Sequence, residues 1–280
     1  MTYRSLLVLL DRHSSCGERT RTAIRLAKDL DCHLVGLAPT GLVDTPAPIE
    51  TTAGLAEFAA NVRDVLRGEA ERAARDFRAQ CKEAGTKSFE AVVDESDKAV
   101  SLVRHAHCSD LTVLTQANPN AREHRRAQVL VEQVVLASAR PTLVLPHAGR
   151  FDAVGTCVMV AWDDSREAAR ALSDALPLLR LAKRVQIESW TKRSGDDDKT
   201  WHPGLDALRR WLAWQGVSVD VRVEPTDSHV AESILSRAAD LDADLIVMGA
   251  YGQARWVERL LGGATQGLLA SMTVPVLMSH

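Results

Sequence analysis

Short apolar runs alternate with amphipathic stretches along the whole chain. SLLVLLD (5–11) is an apolar run closed by an aspartate, followed by a polar turn and the helical pattern ERTRTAIRLAKDL. TCVMVAWD (156–163) repeats that arrangement ahead of SREAARALSDALPLL. Further on, SDLTVLTQANPN (109–120) mirrors ADLIVMGAYGQA (243–254), and the interval from Thr115 to Pro141 equals that from Gly249 to Pro275. The closing runs RPTLVLPH (140–147) and VPVLMSH (274–280) therefore fall into register without a gap. Self-similarity on this scale predicts two homologous halves, 1–147 and 152–280, joined by the short linker AGRFD.

In the second half the runs TCVMVAW, RVQIESW, VSVDVRVEP, DLIVMG and VPVLMS read as strands, with helices over 165–181, 203–215, 228–240 and 263–271 between them. Short apolar strands alternating with amphipathic helices predict an α/β fold with a parallel sheet covered on both faces. Five strands joined by right-handed crossovers make a doubly wound domain, so the chain reads as two of them in tandem. TGLVDTPAPIETTAG (40–54) and KRSGDDDKTWHPG (192–204) read as irregular loops at matching places. Edge strands leave unpaired backbone groups, so 140–147 and 274–280 are expected to pair across the halves. Trp211 and Trp214, at i, i+3 on DALRRWLAWQG, read as core or domain-interface residues.

Composition narrows the function. An apolar fraction of 46% with 25% charged residues is that of a globular protein. A formal net charge of -3 gives no global electrostatic argument for nucleic acid or an anionic membrane. The five cysteines are scattered without CxxC spacing and fit a reducing cytoplasm. The apolar run at the N-terminus is too short for a signal peptide or a membrane span. His105, His107 and Cys108 do not share one helix face, and Asp196, Asp197 and Asp198 lack a spaced ligand set, so no metal site is expected. The basic run Arg122–Arg126 reads as a solvated face. There is no P-loop, GxSxG or HExxH, and no nucleophile beside a base, so a dedicated enzyme is not expected.

One segment stands apart: GAYGQARWVERLLGGATQGLL (249–269), with Gly249, Gly252 and Gly262 spaced Gly-x2-Gly-x9-Gly. With the strand that ends in Asp163 and the final VPVL run, it resembles the universal stress protein family in its tandem two-domain form. The resemblance implies strand order 3-2-1-4-5, domains paired as a pseudo-dimer through their last strands, and ATP bound in the glycine motif. In such a sheet the ligand crevice lies where the strand order reverses, between strands 1 and 4, so Asp163 and Gly249 meet there. Gly249 and Gly252 let a phosphate or ribose approach the chain. Gly262 and Gly263 precede a helix start that favours an anion, and Thr265 adds a hydroxyl in its first turn. Asp163 is placed to accept hydrogen bonds from ribose or to hold a divalent cation, Mg²⁺, beside the phosphates. The resemblance implies that adenine lies near the end of strand 2, around Trp190. The sequence departs from the family pattern at Gly263, where ATP binders usually carry Ser or Thr. The first half has lost the motif, with Thr115, Asn118, Gln128 and Val129 at the corresponding positions. The expectation is a cytoplasmic stress-response or regulatory protein that binds one adenine nucleotide per chain in its second half, with at most slow hydrolysis. The alternative is a nucleotide-free docking protein for another protein. Whether chains form homodimers is left open.

Overall fold

The computed structural model describes residues 2–42, 53–192, 203–226, 229–252 and 264–280. Two compact units divide the chain, Tyr3–Leu114 and Thr115–His280.

The first unit runs β1 (Ser5–Leu9), α1 (Cys16–Asp29), β2 (His33–Pro39), α2 (Ala53–Glu83), β3 (Phe89–Asp94), α3 (Lys98–Ala106) and β4 (Leu111–Thr115). The strands lie in the order β3-β2-β1-β4 and are parallel, with Leu7 of β1 beside Val35 on one side and Thr112 on the other. Leu6, Leu7 and Val8 are fully buried, as a strand covered on both faces requires. α2 sits close over β2 because Gly36 is bare: a Cβ there would stand 2.8 Å from the Phe77 ring. Asp97 starts α3 by accepting hydrogen bonds from the Ala99 and Val100 amides at 2.9 and 3.2 Å. The 40–54 loop expectation is met only in part. α2 already begins at Ala53, and residues 43–52 lie outside the described residues.

The second unit continues with α4 (His124–Ala137), β5 (Thr142–Leu145), β6 (Cys157–Ala161), α5 (Arg166–Leu179), β7 (Arg184–Lys192), α6 (Pro203–Trp214), β8 (Asp220–Thr226), α7 (Val230–Asp240), β9 (Leu245–Gly249), α8 (Ala264–Ser271) and β10 (Val276–Ser279). Its strand order is β5-β10-β9-β6-β7-β8. From β6 to β10 this is the expected 3-2-1-4-5, all parallel. β5 joins antiparallel on β10, with Val144 opposite Val276, so the last strands of the two repeats pair as the sequence indicates. Most of the 192–204 loop, including Asp196, Asp197 and Asp198, lies outside the described residues.

The repeat is visible as a shared physical device. Asp110, just before β4, accepts the Arg4 and Ser5 amides at 2.7 and 3.0 Å and so fixes the start of β1. Asp244, just before β9, accepts the Gly155, Thr156 and Cys157 amides at 2.9, 3.1 and 3.0 Å at the start of β6.

Residues 115–147 belong by repeat to the first half but cluster with the second. β5 pairs there, and the buried Gln116 side chain donates to the Leu269 carbonyl at 2.8 Å while accepting the His147 amide at 3.1 Å. The reading of Trp214 as a core or domain-interface residue needs correction. It is 78% exposed, while Trp211 is half-buried, because the buried face of α6 is carried by Leu205, Leu208 and Leu212.

Candidate functional site

β6 and β9 are neighbours, with Ala161 beside Met248, so the chain leaves both strands at the same edge of the sheet. That is the point where the strand order reverses, so the turn carrying Asp163 and the Gly249–Gly252 turn both follow from that edge.

After β6 the chain turns sharply, with Asp164 in the left-handed region at φ 60°. Asp163 is exposed, and its Oδ1 accepts the Ser165 hydroxyl at 2.6 Å and the Ser165 amide at 3.1 Å. Ser165 in turn accepts the Ala168 amide at 3.1 Å and caps α5. Asp163 is therefore held by the same turn that starts the helix.

After β9, Ala250 donates its amide to the Ser279 carbonyl at 2.9 Å and Tyr251 stands in the left-handed region at φ 53°. A tyrosine in this conformation is strained and persists only where its surroundings enforce it. Here Thr265 supplies a restraint: its hydroxyl oxygen accepts the Tyr251 amide at 3.3 Å. Thr265 was expected to offer that hydroxyl to a ligand. Instead it is 2% exposed and pins the turn between the two glycines.

Gly249 has a structural task as well. A Cβ on it would lie 2.5 Å from the Ala168 nitrogen and 2.6 Å from the Glu167 carbonyl carbon, so its bareness lets the first turn of α5 rest on the end of β9. Gly252 faces a side chain: a Cβ there would stand 3.4 Å from Oε2 of Glu167. Gly262 and Gly263 lie outside the described residues. Trp190, expected near adenine, is half-buried towards the end of β7.

Sequence reasoning missed Glu167. The signal available was its position, four residues after Asp163 at the opening of a helix, where a carboxylate is favoured by the helix dipole. The residue is 3% exposed. Its Oε1 accepts from Nε of Arg166 at 2.6 Å, whereas its Oε2 is buried with no hydrogen-bond partner among the described residues. Burial pushes this carboxyl up. The Arg166 hydrogen bond, a backbone amide and the charges of Arg166 and His280 outweigh that and hold it below the usual glutamate range.

In the first unit the aspartate has a different fate. Arg19, 2% exposed, donates to Asp11 Oδ1 at 2.8 Å and to the Leu9 carbonyl at 2.8 Å, and the His13 amide adds a bond to Asp11 at 3.1 Å. Burial raises the Asp11 carboxyl, but the Arg19 charge and these bonds bring it below the ordinary aspartate value. In the second unit the repeat places Ala171 where the first has Arg19, and among the described residues no ion pair to Asp163 takes its place. Asn118 accepts the Asn120 amide at 2.9 Å, Gln128 donates to Glu132 at 3.1 Å, and Val129 is exposed. Among the described residues no group of three or more His, Cys, Asp or Glu could hold a metal ion, and no helix is long and apolar enough to cross a membrane. All five cysteines are free thiols.

Fold and sequence together define the class. Residues 157–280 match the model of the universal stress protein family, and this half of the chain belongs to that family. The whole chain has the fold of a universal stress protein from Archaeoglobus fulgidus DSM 4304. That likeness has a TM-score of 0.68 at 18% identity and covers 98% of this chain and 95% of that one. A functionally unknown protein from Pseudomonas aeruginosa PAO1 has the same fold, with a TM-score of 0.61 at 17% identity over 99% of this chain and 92% of that one. A universal stress protein in complex with cAMP aligns with 53% of this chain and 100% of its own at 17% identity, but its TM-score of 0.39 carries no argument about a ligand here. No curated protein matches the chain.

Proposed function

We propose that the chain is a cytoplasmic stress-response or regulatory protein built from the halves 1–147 and 152–280, and that the second half binds ATP. Its site comprises Asp163, Gly249, Gly252, Gly262, Gly263 and Thr265. The observation that supports this reading is that β6, which leads to Asp163, and β9, which leads to the Gly249–Gly252 turn, are neighbours at the reversal of strand order, where doubly wound sheets take their ligands. Within the site the roles differ. Asp163 faces solvent, ready for a ribose hydroxyl. Gly252 is the bare backbone beside the ligand, and the segment through Gly262 and Gly263 leads to the N-terminus of α8, which favours phosphate. Gly249 and Thr265 shape the crevice from beneath. The sequence carries no P-loop, GxSxG or HExxH, and turnover is at most slow hydrolysis.

The docking-protein reading keeps one supporting observation, since the buried Glu167 carboxylate faces Gly252 where a phosphate would approach. The two readings separate on the nucleotide content of freshly purified protein and on calorimetry. Adenine nucleotide released on denaturation, or binding of ATP with Mg²⁺ in the millimolar range or tighter, supports the first. The absence of both supports the second.

A further inference from the structure

The geometry points to Glu167 as a charge gate: phosphate is accepted beside Gly252 as the complex of a divalent cation, liganded by Glu167 Oε2 and by the phosphate oxygens. This inference rests on the nucleotide reading above and specifies what form of nucleotide the site takes.

Three observations lead to it. Oε2 of Glu167 lies 3.4 Å from the point where a side chain at 252 would begin, so a group that approaches the bare face of Gly252 meets a carboxylate oxygen. That oxygen is buried and has no hydrogen-bond partner among the described residues, whereas Oε1 is already held by Arg166 at 2.6 Å. A buried carboxylate oxygen left unmatched is costly, and a cation or a donor is what it lacks. A bare triphosphate beside Gly252 would be repelled by this carboxylate. A divalent cation reverses the sign, because hard cations of the Mg²⁺ type bind through one or two carboxylates together with substrate phosphates. The protein alone does not complete such a site. No group of three acidic, His or Cys ligands exists among the described residues, so the remaining ligands must come from phosphate and water. Arg166 does not replace the cation, since it bonds to Oε1 and its side chain is 78% exposed.

The test is isothermal calorimetry on the full chain with ATP, once with excess Mg²⁺ and once with EDTA, for the wild type and for Glu167→Gln. The gate predicts that the wild type binds ATP about tenfold or more tightly with Mg²⁺ than with EDTA. In Glu167→Gln the gap should shrink to about threefold or less, mainly because binding in EDTA improves. Urea denaturation of the variant checks that it folds, and the wild-type pair of titrations needs no variant at all. Equal wild-type affinities in the two buffers overturn the gate and leave the nucleotide reading standing. So does an unchanged gap in Glu167→Gln. Loss of binding in both buffers on the same substitution overturns it too, and makes Glu167 a direct acceptor for ribose or adenine. No binding under any condition removes the nucleotide reading and the gate with it.

Discussion

Replacing Gly249 by alanine adds one carbon, and the structure says where it goes. The new Cβ would stand 2.5 Å from the Ala168 nitrogen, 2.6 Å from the Glu167 carbonyl carbon and 2.9 Å from the Glu167 Cβ. Carbon contacts are favourable near 3.5–4.0 Å, so the overlap is roughly 1 Å. Two of the atoms met are backbone of the first turn of α5, which cannot rotate out of the way. Relief therefore requires α5 to lift from β9 and β10, on which it packs. Overpacking in a well-filled core costs about 1–3 kcal/mol, and a rigid backbone neighbour puts this case near ~3 kcal/mol. The readout is available without labels, because Trp162, Trp190, Trp201, Trp211, Trp214 and Trp256, all six tryptophans, lie in the second half. With a urea slope of about 3 kcal/mol per molar, ~3 kcal/mol moves the fluorescence midpoint down by about 1 M. Gly252→Ala is the internal control. Among the described residues its Cβ would meet only the end of the Glu167 side chain, at 3.4 Å, and a shift within about 0.5 kcal/mol is expected. A wild-type midpoint for Gly249→Ala would refute the seating of α5 on β9.

Two further outcomes follow from buried charge. Arg237 donates to Glu188 at 2.7 Å, and Glu188 is 0% exposed, so Arg237→Met should destabilise the second half by about 3–5 kcal/mol. Burial pushes the Glu188 carboxyl up even beside Arg237, so it takes its proton more readily folded than unfolded. The defect in Arg237→Met should therefore ease as pH falls from 8 to 5, and a pH-independent defect would contradict this cause. In the first unit, burial raises the Asp94 carboxyl, but hydrogen bonds from Ser101 and Ser96 and the Arg104 guanidinium bring it down to about 2. A depressed carboxyl contributes stability above its unfolded value near 3.8 that is lost as pH falls through 2. That amounts to about 2 kcal/mol. An acid titration followed by circular dichroism should show this loss for the wild type and not for Asp94→Asn.

The architecture was legible in the sequence to an unusual depth because the repeat doubled each signal. Asp11 and Asp163 mark the ends of strand 1, and the equal spacing to Pro141 and Pro275 aligns the closing strands without knowledge of either structure. The expected strand order and the pairing of β5 with β10 are those observed. What the sequence could not supply was direction in space. Trp211 and Trp214 share a helix face by spacing, yet the apolar stripe of Leu205, Leu208 and Leu212 is enough to bury α6 and leaves Trp214 in solvent. Gly249 read as room for a ligand, and the neighbour it admits is the backbone of α5. Glu167 carried no motif, so its isolation beside Gly252 became visible only when both were placed. Arg19 is the same lesson in the first unit. It lies eight residues from Asp11, on the buried side of α1, and only its burial shows that it neutralises that carboxylate.

The central claim is that one half binds nucleotide and the other does not. Asp163 is exposed and among the described residues is paired with no arginine, whereas Asp11 is bound to the buried Arg19. The decisive measurement is the stoichiometry of ATP with Mg²⁺ by calorimetry on the wild type, Asp163→Ala and Asp11→Ala. The account predicts one site per chain, weakened at least about tenfold by Asp163→Ala, as loss of a hydrogen bond to a charged group of roughly 1.5–3 kcal/mol requires. Asp11→Ala should leave the affinity unchanged. Two sites per chain, or binding lost on Asp11→Ala and kept on Asp163→Ala, would contradict it.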